Sequence, residues 1–149
     1  MGSQEDVDKE FCEFFQNLFT SSSPSQNQIE EALKKLLPQV TPNMNAQLEE
    51  PFTLEDIENA LSHMCLTKAP GQDGLPAAFF QKHWLSVRGG VINTCLHVLN
   101  KQGNLAPLNH TYIALIHEIE KPRKVSEFKP ISLCNVIYRI IAKAIANKL

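Results

Sequence analysis

The sequence predicts an α+β fold that is mostly α, with one small β element. Three observations carry the prediction. Apolar residues recur at helical spacing in several separate segments. A single stretch, Thr111 to Ile119, has the Thr, Tyr and Ile content of a strand. The chain has 149 residues, 43% hydrophobic and 20% charged, which is enough to bury one core and ordinary for a globular protein.

The first predicted helix covers residues 4–19, where Phe11, Phe14, Phe15, Leu18 and Phe19 form one stripe. Glu5, Asp6 and Asp8 suit its positive N-terminal end. Residues 20–25, T-S-S-S-P-S, read as a linker. A short helix follows, with Ile29, Leu33, Leu36 and Leu37 on one face and Pro38 ending it. Residues 40–51 read as loop, punctuated by Pro42, Asn43, Asn45 and Pro51. Thr53 and Asp56 have the spacing of a capping box, so a helix starts there and buries Ile57, Ala60, Leu61 and Met64, ending near Cys65.

The segment Lys68 to Pro76 is a double turn. Pro70-Gly71 suits the centre of a type II turn, with Gly71 at positive φ, and Asp73-Gly74 marks a second turn. Its glycines either permit the turn or expose amides as an anion-binding nest. Residues 77–84 are helical, and Ser86 caps a further helix carrying Val91, Ile92, Cys95, Leu96 and Leu99, closed by Gly103. The strand from Thr111 is apolar on both faces and is expected to be covered on both sides. A basic loop from Lys121 to Lys129 follows, then a short second strand at Ile131. The last helix runs from about Leu133, with Val136, Ile137, Ile140, Ile141, Ala144 and Ile145 as its apolar stripe and Arg139, Lys143 and Lys148 off it.

Charge is unevenly placed. Residues 1–60 carry 12 acids and 3 bases, whereas residues 61–149 carry 4 acids and 11 bases. The basic part suits a nucleic-acid backbone, or else the halves neutralise each other. No apolar run approaches the length of a membrane span, and the acidic N-terminus lacks the pattern of a secretory signal. An intracellular place, nucleus or cytoplasm, is expected. The four cysteines are far apart without a C-x-x-C pair, so free thiols are expected rather than a zinc or redox motif. Enzymatic constellations are thin: Asp73 is the only acid between Leu61 and His117, which leaves no carboxylate pair there for acid–base or two-metal chemistry.

Several motifs, in order, carry a resemblance. They are Lys68 to Leu75 (K-A-P-G-Q-D-G-L), Phe79 to Trp84 (F-F-Q-K-H-W), Asn109 to Ile116 (N-H-T-Y-I-A-L-I), Phe128 to Tyr138 (F-K-P-I-S-L-C-N-V-I-Y) and Ala142 to Leu149 (A-K-A-I-A-N-K-L). From about Pro51 onward the chain resembles plant LINE-type (non-LTR retrotransposon) reverse transcriptases. The resemblance implies the fingers of a right-hand RNA-directed DNA polymerase over residues 51–149, truncated before the palm. It makes residues 1–50 a helical linker region that follows a lost endonuclease domain.

In that family the metal-binding aspartates lie downstream of the matched motifs. The chain alone is therefore expected not to be an enzyme and to hold no cofactor, with Mg²⁺ implied only for a full-length member. RNA or DNA backbone is the expected partner, through Lys68, Arg123, Lys124, Lys129, Arg139 and Lys143, with Gly71 and Gly74 shaping the loop. Where the family strand usually ends L-I-P-K, this chain has Leu115-Ile116-His117-Glu118, which replaces a lysine by an acid. Lys129 stands where arginine is usual, keeping the charge but losing the bidentate fork. The competing expectation is a helical protein-interaction fragment, self-associating through exposed apolar helix faces, or a non-functional gene relic.

Overall fold

The computed structural model describes residues 4–34, 40–101 and 103–149. These form helices α1 (Gln4–Phe19), α2 (Gln26–Leu33), α3 (Pro42–Glu49), α4 (Leu54–Ser62), α5 (Ala77–Lys82), α6 (Trp84–Lys101) and α7 (Val136–Lys148). Strands β1 (Thr111–His117) and β2 (Phe128–Cys134) pair in a two-stranded antiparallel sheet. The mostly helical α+β class is thus as expected. The chain divides into two compact units, one of Met1–Thr41 with Leu115–Lys129, the other of Pro42–Ala114 with Pro130–Leu149.

In the first unit, α1 buries Phe15, and Phe11 meets the Phe128 ring edge-on at 5.1 Å between centroids. Most of the predicted aromatic stripe stays open: Leu18 is 60% and Phe19 61% exposed. Ser25 starts α2 through a capping box with Gln28, each bonding the other's backbone amide. Leu36, Leu37 and Pro38, expected to finish this helix, lie outside the described residues.

The larger unit is built around α4 and α7. Ile57, Ala60 and Leu61 of α4 and Val136, Ile140, Ile141 and Ala144 of α7 are buried together with Ala77 and Phe80 of α5 and Val91 and Cys95 of α6. These are positions at i, i+3, i+4 spacing, which is why the apolar pattern found them. Full burial of a side chain such as Ile57 or Ile140 contributes about 1.5–3 kcal/mol. Thr53 caps α4 as expected: the Asp56 amide donates to Thr53 Oγ1 at 3.3 Å, and the Thr53 amide donates to Asp56 Oδ2 at 2.7 Å.

Several local expectations are corrected. Residues 42–49 are helix, not loop, because Pro42 occupies the first helical position, where its missing N–H costs nothing. Asn45 Nδ2 supports that helix by donating to Glu49 Oε1 one turn on, at 2.8 Å. Helix α6 begins at Trp84, so Ser86 lies inside it rather than capping it; the amides of Ser86 and Val87 donate to the His83 carbonyl. Helix α4 ends at Ser62, short of Cys65. Strand β1 is not covered on both sides: Tyr112, Ile113 and Ile116 are about half exposed. The second strand is longer than the short one expected at Ile131, and α7 starts after Asn135. A Cβ at Gly103 would fall 2.6 Å from Cδ2 of the exposed His97 side chain, which would have to move.

Candidate nucleic-acid interface

The double turn after α4 takes its shape from two glycines with different tasks. Gly74 has φ +69°, a backbone that β-carbon-bearing residues rarely adopt, and its amide closes a turn onto the Gly71 carbonyl at 3.1 Å. Gly71 does not have the positive φ expected of it. It is glycine because a Cβ would lie 2.4 Å from both the backbone nitrogen and Oδ1 of Asn135. The Asp73 amide donates to that same Asn135 Oδ1 at 3.3 Å, and the Leu75 amide donates to Asp73 Oδ1 at 3.1 Å. The amides of Asp73, Gly74 and Leu75 thus have partners within the protein, which fits the turn-forming alternative better than an anion nest.

The end of α4 is held by a residue that sequence patterning did not single out. Gln81 Nε2 donates to the carbonyls of Leu61, at 2.8 Å, and Met64, at 3.2 Å. The Leu61 carbonyl also accepts from the Met64 amide at 3.1 Å, so Gln81 ties the last turn of α4 to the residues that follow it. This fixes the segment His63–Cys65, and that segment forms one wall of a cleft of about 440 Å³. The opposite wall is α7, through Tyr138, Arg139, Ala142 and Lys143. Residues four apart lie on one helix face, so Arg139 and Lys143 form one row and Tyr138 and Ala142 the next.

Lys68 also lines this cleft. The structure therefore brings together three of the six cations singled out from the sequence, with no carboxylate among the cleft's described lining residues. Arg139 is not the solvated residue its position off the apolar stripe suggested. Its Nε and Nη2 are shielded from solvent and have no hydrogen-bond acceptor. Removing two guanidinium nitrogens from water without a hydrogen bond carries a cost that nearby negative charge would offset. Cys65 adds an exposed thiol to the same wall, its Sγ 3.3 Å from Thr67 Oγ1. Hydrogen bonding to Thr67 lowers its pKa below the ordinary thiol value, and the Lys68 charge lowers it further. Cys95, in the core, is pushed the other way, to about 12, by burial.

Arg123, Lys124 and Lys129 belong to the other compact unit. All three are exposed. The Glu127 carboxylate accepts from the amides of Arg123, at 2.6 Å, and Lys124, at 3.1 Å. Those bonds hold its pKa below the usual carboxylate range, with the Lys124 charge a smaller contribution. A carboxylate thus sits within the basic loop and offsets part of its charge, whereas none stands among the described residues of the cleft. His63 and Tyr138 also line the cleft, and the sequence assigned neither of them to a site. The available signal was the Tyr138-Arg139…Ala142-Lys143 spacing, two adjacent helical rows, which a search for charge alone passes over.

No known family profile matches the chain. It is 36% identical over 138 residues, 91% of its length, to the "Transposon TX1 uncharacterized 149 kDa protein" of Xenopus laevis. It spans about a tenth of that relative's length. The similarity supports a transposon origin for the chain. Among the described residues, no helix is long and apolar enough to cross a membrane.

Proposed function

We propose that this chain is a nucleic-acid-holding segment of a LINE-type retrotransposon reverse transcriptase, corresponding to part of the polymerase fingers. The observation that carries the proposal is the cleft between the end of α4 and α7, where Lys68, Arg139 and Lys143 meet with no carboxylate among the described lining residues. Such a concentration of positive charge suits a phosphate backbone. The ordered motifs from Lys68 to Leu149 and the similarity to a transposon protein support the same assignment. The relative is from Xenopus laevis, so it lends no particular support to a plant element.

In this role the chain positions template or primer inside the cell, in nucleus or cytoplasm. The carboxylates that hold metal ions for polymerisation belong to other parts of the polymerase. The 149-residue chain alone then retains RNA and DNA oligonucleotides on a filter at low salt and extends no primer with Mg²⁺ and deoxynucleotides. Absence of retention at low salt would overturn the binding role, and primer extension would overturn the division of labour.

One observation favours a second reading, a protein-interaction surface: Leu18 and Phe19 are 60% and 61% exposed on α1. Sedimentation analysis separates the two. A monomer that binds RNA supports the first reading, and an oligomer indifferent to nucleic acid supports the second.

A further inference from the structure

We propose that the α4–α7 cleft is a subsite for one nucleotide of a single strand, in which cations hold the phosphate and the Tyr138 ring takes the base. This rests on the nucleic-acid role proposed above and adds the strandedness, the subsite and a residue outside the cation set. Tyr138 precedes Arg139 on α7, and both line the cleft. Ala142, one turn further along the Tyr138 row, is too small to cover the ring. An aromatic face beside a cluster of cations is the pairing that single-strand binders use, because every base offers a face to stack on.

One quantity and one property of the duplex favour a single strand. The cleft's volume of about 440 Å³ lies toward the low end of the roughly 300–1,000 Å³ of small-molecule sites, room for one nucleotide but not a paired helix. Bases in a duplex are stacked on each other, so only its phosphates would meet the cleft. Arg139 supplies positive charge beside Tyr138. Its positive charge is delocalised over the guanidinium, so a phosphate in the cleft compensates the shielded Nε and Nη2 without touching both.

The test uses the full chain and fluorescence anisotropy, with a short labelled oligothymidylate and the duplex it forms with oligoadenylate. The expected result is tighter binding of the single strand. Tyr138→Leu is expected to weaken that binding roughly tenfold, the loss of one stacked base, while leaving duplex binding unchanged. Tyr138→Phe keeps the ring and the affinity. Lys143→Gln, at an exposed position, is expected to weaken both and lower the salt slope by about 0.7 for the single strand and about 0.9 for the duplex. Lys143→Gln binding like the unaltered chain overturns the subsite even if Tyr138→Leu fails to fold. Equal loss of duplex and single strand in Tyr138→Leu overturns it too, as does displacement by polyglutamate as effective as by oligothymidylate. If the unaltered chain binds neither probe, the general nucleic-acid role falls with it; if it binds but both cleft variants match it, only the subsite falls.

Discussion

Gly71 lies so close to Asn135 that a β-carbon on Gly71 would stand 2.4 Å from the Asn135 backbone nitrogen. Two motifs 64 positions apart in sequence, K-A-P-G-Q-D-G-L and I-S-L-C-N-V, therefore depend on each other. Gly71→Ala must push backbone against backbone, and overpacking of this kind typically costs about 1–3 kcal/mol. Urea unfolding should show that loss. Gly74→Ala meets no neighbour within 4 Å and suffers only the strain of its positive φ, about 1–2 kcal/mol, which Gly74→Asn should largely recover.

The Thr53–Asp56 box begins the helix that carries one wall of the cleft. Thr53→Ala removes the acceptor for the Asp56 amide and is expected to destabilise the chain by about 1 kcal/mol, read as a lowered urea midpoint with an unchanged slope. Thr53→Ser should retain most of the stability.

The cysteines are expected to separate by reactivity. Cys65 is exposed and its thiolate is favoured by Thr67 and Lys68, whereas Cys95 is buried and held as the thiol. Brief iodoacetamide treatment followed by peptide mass spectrometry should find Cys65 modified and Cys95 intact. Cys95 should react only after denaturation.

Cys95 also sets a pH dependence. Its pKa in the folded chain, about 12, lies above the ordinary thiol value of 9.0. Between those values the unfolded chain has lost a proton that the folded chain keeps, so stability falls as pH rises. The stabilising contribution is complete below about pH 9 and lost as pH approaches about 12. Unfolding midpoints measured across that window should fall more steeply for the unaltered chain than for Cys95→Ala.

Helical periodicity revealed most of the core, because burial of one face repeats every three or four residues. It found Ile57, Ala60 and Leu61, and Val136, Ile140, Ile141 and Ala144. It missed α3, where Pro42 was read as a breaker although a proline can equally open a helix. Turn chemistry misassigned the reason for Gly71, since a close approach between distant segments leaves no local signature. The site was half legible. Charge picked out Lys68, Arg139 and Lys143 but gave no reason to join them to each other rather than to Arg123, Lys124 and Lys129. That choice is made by packing of α4 on α7 and by the Gln81 side chain holding the end of α4.

The central claim, that this chain grips nucleic-acid phosphates through its cations, is tested most directly by the salt dependence of single-strand RNA binding. Log affinity plotted against log salt should fall linearly, with a slope near −0.7 for each phosphate contact. The combined Lys68→Gln, Arg139→Gln and Lys143→Gln variant should show a shallower slope and weaker binding at every salt concentration. Binding that does not change as salt rises, or a combined variant with the slope of the unaltered chain, would contradict it.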